Sequence, residues 1–278
     1  MNIFFACGAP KSGTTWLQRV LDAHPEVCCS GEGHFIQRFS APIAKSVNAY
    51  NRELVAVASQ VYEGEPYYQP VGQPEFDALI RDFILGRLSA RAGPQTRWIG
   101  DKTPTYTRHL EQLNRLFPGA KVIHIVRDPR DVAVSRMAHS RRAGAGAATT
   151  PGSEEHRLTL EGAVRMWREA VSAVDAFAAA HPGQTHELRY RDLHTDPIGE
   201  IGRLFGFLGA PAPRVLVQRI AAQTSFKALS GRAPGEEDAS SFLRKGLPDD
   251  WRSGLDEASA RFVTDECGEL MRAKRFAA

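Results

Sequence analysis

The stretch Ile3-Phe4-Phe5-Ala6-Cys7-Gly8-Ala9-Pro10-Lys11-Ser12-Gly13-Thr14-Thr15-Trp16-Leu17-Gln18-Arg19-Val20-Leu21 decides how this chain folds. Its first five residues form a short, unbroken apolar run, as in a strand buried on both faces. Gly8-Ala9-Pro10 ends the run, and over residues 14–23 Trp16, Leu17, Val20 and Leu21 fall at helical spacing. Strand, Gly-bearing turn and helix in this order bring backbone N–H groups and the positive end of a helix around one point. That geometry holds a phosphate.

The same alternation continues outward from this unit. Residues 26–29 and 97–100 read as strands, and residues 121–126 hold the clearest one, Val122-Ile123-His124-Ile125-Val126, bounded by Pro118-Gly119 and Asp128-Pro129. Residues 185–188 read as a further parallel strand. Helices are expected at 45–62, 74–92, 105–117, 129–141, along the apolar positions from Leu158 to Phe177, and at 197–208, 213–222 and 257–275. Residues 142–153, alternating Gly and Ala, read as a mobile loop, and 230–250 as a long polar one. Strands separated by helices predict an α/β fold, a parallel sheet flanked by helices on both faces. With no repeat and no linker, residues 1–278 are expected to form one domain.

The 278 residues are 42% hydrophobic and 24% charged, which excludes disorder, collagen and coiled coil. A net charge of +3 is too small for wholesale nucleic-acid binding, although only 7 of the 35 basic side chains are Lys. Cys7, Cys28, Cys29 and Cys267 make no C-x-x-C pair and read as reduced core thiols. No apolar run has the length of a membrane span, and the strand starting at Ile3 leaves no room for a signal peptide, so the expected location is the cytoplasm. The common nucleotide-triphosphatase loop carries Lys directly after its second Gly, where this chain has Thr14, and its only loop lysine is Lys11. Strand 121–126 runs into Arg127 and not into a magnesium-binding carboxylate.

Lys11 to Trp16, after Pro10, resembles the 5′-phosphosulfate loop, PKSGTTW, of sulfotransferases that use 3′-phosphoadenosine 5′-phosphosulfate (PAPS). Arg127-Asp128-Pro129-Arg130-Asp131-Val132-Ala133-Val134-Ser135 is similar to that family's 3′-phosphate motif, where an Arg and a Ser eight residues on hold the phosphate. Such a guanidinium and hydroxyl suit a dianion; pairing of Arg127 with Asp131 is the structural alternative. Arg189-Tyr190-Arg191-Asp192-Leu193 resembles the RYEDL segment and Thr224-Ser225-Phe226 the TSF segment, both at the adenine. Ser241-Phe242-Leu243-Arg244-Lys245-Gly246, with Asp250-Trp251 beyond, resembles the FxRKGxxxDW lid over the 3′-phosphate. The resemblance implies a P-loop-like sulfotransferase fold, PAPS as donor, adenosine 3′,5′-bisphosphate (PAP) as product and no metal. It also implies that Lys11, Ser12, Gly13, Thr14, Thr15, Trp16, Arg127, Ser135, Tyr190, Thr224, Phe226, Phe242, Leu243, Arg244, Lys245 and Gly246 bind the donor.

Sulfuryl transfer needs a base on the acceptor side and cations on the leaving side. The His that follows a Lys-Thr pair in cytosolic sulfotransferases is replaced here by Pro104, after Lys102-Thr103. The stretch around Glu32 resembles tyrosylprotein sulfotransferases, and Glu32-Gly33-His34-Phe35 resembles the E-x-H-F of heparan sulfotransferases. The resemblance implies Glu32 as base, with His34 as the alternative. Gly100-Asp101-Lys102-Thr103-Pro104 resembles the KTP segment of Golgi-type enzymes, implying Lys102 near the transferred group. Catalysis is thus expected from Glu32, Lys11, Lys102 and His34, on a small-molecule, carbohydrate or phenolic hydroxyl, with neither nucleic acid nor membrane as partner. The rival readings are a nucleotide-dependent kinase and a non-catalytic anion- or RNA-binding module. Oligomeric state stays open.

Overall fold

The computed structural model describes residues 1–65, 67–144, 150–238, 240–241 and 243–277. Phe242 and part of the loop expected to be mobile, residues 145–149, lie outside the described residues.

Five parallel strands, β1 (Asn2–Cys7), β2 (Val27–Gly31), β3 (Trp98–Lys102), β4 (Lys121–Val126) and β5 (Thr185–Arg189), make one sheet in the order β2-β3-β1-β4-β5. β1 is central because both of its faces are apolar. Phe4 and Ala6 pack among Leu17, Val20 and Leu21 of α1 (Thr14–Asp22) and the residues of α8 (Pro197–Leu208) and α9 (Arg214–Gln223). Phe5 and Cys7 face the other layer, where α3 (Gln73–Ser89) and α4 (Leu110–Leu116) supply Ile80, Ile84 and Leu113. A third cluster joins α5 (Pro129–Arg142), α6 (Glu154–Ala180) and α12 (Glu257–Ala273) around Trp167. The expected α/β sheet with helices on both faces is the one observed.

From β1 the chain runs to β2 and β3 on one side and to β4 and β5 on the other. The carboxyl ends of β1 and β4 therefore border the crevice where such sheets bind ligands.

The local departures from expectation have local causes. The helix expected over 105–117 is broken. A 3₁₀ turn, Pro104–Arg108, stops at His109 and α4 begins at Leu110. Tyr106, fully buried, packs edge-on against Phe5 at 5.5 Å, so the turn serves to seat that ring and an uninterrupted helix would carry it elsewhere. α2 (Ala41–Val61) starts before the expected residue 45, with Pro42 in its first turn and a π-helical stretch, Phe35–Ser40, ahead of it. Short helices α7 (Tyr190–Thr195), α10 (Phe226–Ser230) and α11 (Trp251–Gly254) were not foreseen, having no periodicity to read. None of the described helices is long and apolar enough to cross a membrane.

Candidate active site

The turn after β1 is shaped by two glycines. A Cβ on Gly8 would stand 2.4 Å from the Ile125 carbonyl oxygen, and one on Gly13 would stand 2.6 Å from the Tyr190 ring. Gly13 also takes φ 98° as it caps α1, the left-handed region that suits glycine. No side chain caps α1 at Gly13. The first N–H groups of a helix have no partner within it, so this end is a ready anion seat. Ser12 is fully buried and its Oγ has no partner among the described residues. Lys11 itself adopts a left-handed backbone, φ 80°.

A cavity of about 330 Å³ opens beside this turn. Lys11, Gly13, Thr14, Thr15, Trp16, Arg127, Ser135, Tyr190, Phe226, Leu243, Arg244, Lys245 and Gly246 all line it, which brings together thirteen of the residues expected to bind the donor. Ser12 and Thr224 do not line it. Thr224 is buried behind the wall, where its carbonyl accepts a 2.8 Å bond from Trp16 Nε1 and its Oγ1 donates to Ile220 O at 2.8 Å. It holds the indole rather than facing the cavity.

Arg127, directly after β4, stacks its guanidinium 4.3 Å from the Tyr190 ring centroid. Its Nη2 donates to Leu247 O at 2.9 Å, and its Nε lies 3.5 Å from the Asp131 carboxylate. Arg127 therefore pairs with Asp131 and also lines the cavity. The buried Asp131 also accepts the backbone N–H groups of Asp249 and Trp251, each at 3.0 Å, which ties the polar segment after residue 230 to α5. Trp167 Nε1 donates to Arg127 O at 2.8 Å and fixes the backbone behind the guanidinium.

Three of the four expected catalytic residues, Glu32, His34 and Lys102, form a second cluster at the adjoining strand ends. Register pairs Gly31 of β2 and Ala6 of β1 with Lys102 of β3. Lys102, with only 3% of its side chain exposed, donates to Glu32 Oε1 at 2.5 Å, and His34 Nε2 lies 3.2 Å from Glu32 Oε2. The loop is held from below. Asp101 accepts the Gly33 N–H at 3.1 Å and the Thr103 hydroxyl at 2.7 Å, while Thr103 Oγ1 accepts the His34 N–H at 3.3 Å. None of Glu32, His34 and Lys102 lines the cavity. Lys11 connects the two clusters electrostatically. Burial lowers its ammonium to about 8, the charges of Arg142 and Arg136 act the same way, and Glu32 opposes them.

Asp250, His194, Ser225 and Leu247 also line the cavity but were not among the expected donor-binding residues, although Ser225 lies within the Thr224-Ser225-Phe226 match. Asp250 had a signal in the Asp250-Trp251 match. His194 had none, since its only distinguishing feature is its position four residues after Tyr190 on the short α7. Burial holds the His194 imidazole below its ordinary value, with Arg127 adding to the effect and a Gly246 backbone hydrogen bond opposing it.

Five parallel strands, a Gly-shaped anion turn and a cation-lined cavity at the carboxyl edge define an anion-handling α/β protein. A family model described as "Sulfotransferase family" matches residues 4–214, and the chain belongs to that family. Protein-tyrosine sulfotransferase 2 of Gallus gallus is 33% identical over 130 residues, 47% of this chain and 32% of the chicken protein. Sulfotransferase 1A1 of Bos taurus is 27% identical over 256 residues, covering 88% of this chain and 75% of the bovine one. Among solved structures, mouse sulfotransferase SULT7A1 complexed with PAP shares the fold with a TM-score of 0.60 at 20% identity, covering 98% of this chain and 85% of that one. The chain thus spans about a third of the chicken relative's length.

Proposed function

We propose that this protein is a metal-independent sulfotransferase, acting as a single domain, that moves the sulfuryl group of PAPS to a hydroxyl or phenol, with Glu32 as general base. The observation that carries the reading is the Lys102–Glu32–His34 cluster adjoining a cation-lined cavity, with Lys11 in electrostatic reach of both. The residues fit the donor. The uncapped start of α1 and the side chain of Lys11 suit its 5′ end, Arg127, Ser135, Arg244 and Lys245 suit a 3′-phosphate, and Trp16, Tyr190 and Phe226 offer rings to a base.

When bound, PAPS supplies an activated sulfuryl group on a phosphate leaving group. The chain's part is to place charge around it. Glu32 takes the acceptor's proton at Oε2 or Oε1, with Lys102 paired to it at 2.5 Å, while His34 orients it from the other side. Lys11 meets the charge that develops on the leaving side. The acceptor is a small molecule, a carbohydrate or a phenol. A cytoplasmic place of action belongs to the same proposal, since four buried thiols, two of them adjacent in β2, suit a reducing compartment.

The test is ligand stabilisation. PAP at 100 times its Kd should add about 2.7 kcal/mol, roughly 5–10 °C in melting temperature for a chain of this size. AMP, lacking the 3′-phosphate, should do much less. Equal shifts from both nucleotides would remove Arg127, Ser135 and Arg244 from the 3′-phosphate.

The depressed Lys11 adds a pH dependence. Its ammonium is charged below pH about 8 and neutral above, so kcat/KM should fall as pH rises through that value. Lys11→Arg, always charged, should move that limb to higher pH. A limb that stays in place in the Arg variant belongs to another group.

A further inference from the structure

Asp250 is an anion already in place in the cavity. Its side chain is 3% exposed, it lines the cavity together with Arg127, Arg244 and Lys245, and it receives both of the latter cations. Lys245 Nζ donates to its Oδ1 at 2.6 Å and Arg244 Nη2 to its Oδ2. Arg244 is held on its far side by Glu237 at 2.6 Å. Arg127 meanwhile sits against Asp131. Each cation suited to a phosphate therefore faces a carboxylate of the chain itself. Burial works to raise the Asp250 carboxyl, but the Lys245 hydrogen bond and the Arg244 charge outweigh it and keep the group ionised.

We infer that Asp250 is a positioning residue and built-in counter-anion, which holds Arg244 and Lys245 in the cavity and competes with a nucleotide 3′-phosphate for them. The inference rests on the PAPS reading above. Two negative groups sharing one pair of cations must weaken each other's hold, and the coupling acts equally in both directions. The carboxylate thus keeps the cations ordered without ligand and limits how tightly a bisphosphate product is retained. A carboxylate that merely braced the segment would have the opposite effect, because its loss would disorder the cations and weaken binding.

The sign of the effect on Asp250→Asn decides between them. Calorimetric titration of the full chain with adenosine 3′,5′-bisphosphate and with adenosine 5′-phosphate reads both. The variant should bind the bisphosphate about tenfold tighter, within the usual range of such couplings, and the monophosphate unchanged. Asp250→Glu, which keeps the charge, should return the ratio of the two affinities towards that of the natural protein. If Asp250→Asn does not fold, Glu237→Gln frees Arg244 from its exposed side and should tighten the bisphosphate by about twofold. A natural protein that binds both nucleotides equally overturns the donor assignment and this inference with it. A natural preference for the bisphosphate that Asp250→Asn leaves unchanged or weakens overturns this inference alone, as does an unaltered affinity in Glu237→Gln.

Discussion

Glu32→Gln should lower kcat by roughly 10²- to 10⁴-fold while PAP affinity barely changes. The amide keeps the size of the side chain and can still accept from Lys102, but it cannot take a proton from the acceptor. The Lys102 ammonium, almost wholly buried at 3% exposure, loses its carboxylate partner in this variant, so the melting temperature should fall as well. Turnover must therefore be read on protein that circular dichroism finds folded. His34→Ala should reduce kcat less, because the imidazole meets Glu32 at 3.2 Å from the more open side. An acceptor with an aliphatic hydroxyl gives the clearest result, since an acidic phenol needs little help in losing its proton. Near-normal turnover in Glu32→Gln with an inactive His34→Ala would exchange the two roles.

Lys11→Ala should cut kcat by roughly 10²-fold or more, the scale of removing one donor that meets developing charge in a desolvated site. The loop would stay closed, because its shape depends on Gly8 and Gly13 and on the Ser12 N–H donated to Ala9 O at 3.0 Å, none of which involves the lysine side chain. PAP binding should therefore survive in part. Steady-state kinetics separate the possibilities: normal kcat with a raised KM alone would make Lys11 a binding residue and nothing more.

Most of the sheet was legible in the sequence because β1 to β4 are short apolar or β-branched runs closed by Gly, Pro or Asp, and the first of them passes into an anion turn, whereas β5, Thr-His-Glu-Leu-Arg, has only Leu188 as an apolar residue. Most of the cavity was legible for a different reason: its residues sit in short ordered motifs with an established chemistry. What the sequence could not reveal is pairing between distant residues. Asp131 bonds to the N–H groups of Asp249 and Trp251 across more than a hundred positions, and so sets against α5 the segment in which Asp250 meets Arg244 and Lys245. Thr224 shows the converse: its motif is intact, yet its side chain turns inward to Ile220 O. The break at His109 was hidden because the helical spacing from Thr105 to Phe117 carries no mark of the ring contact between Tyr106 and Phe5 that interrupts it.

Lys11 holds its ammonium at the cavity from a left-handed backbone, φ 80°, which a residue with a Cβ reaches at a cost of roughly 1–2 kcal/mol. Glycine would relax there. Under the proposed role of Lys11, endurance and activity therefore pull this position apart, and a chain selected for heat resistance alone would drift to glycine at residue 11. Engineering this protein for stability by replacing strained residues would then remove the lysine proposed for the leaving side, and His34, at φ 47°, stands under the same pressure. The same reasoning separates position 11 from its neighbour Gly13, where conformation and packing against Tyr190 ask for the same residue and no such conflict exists.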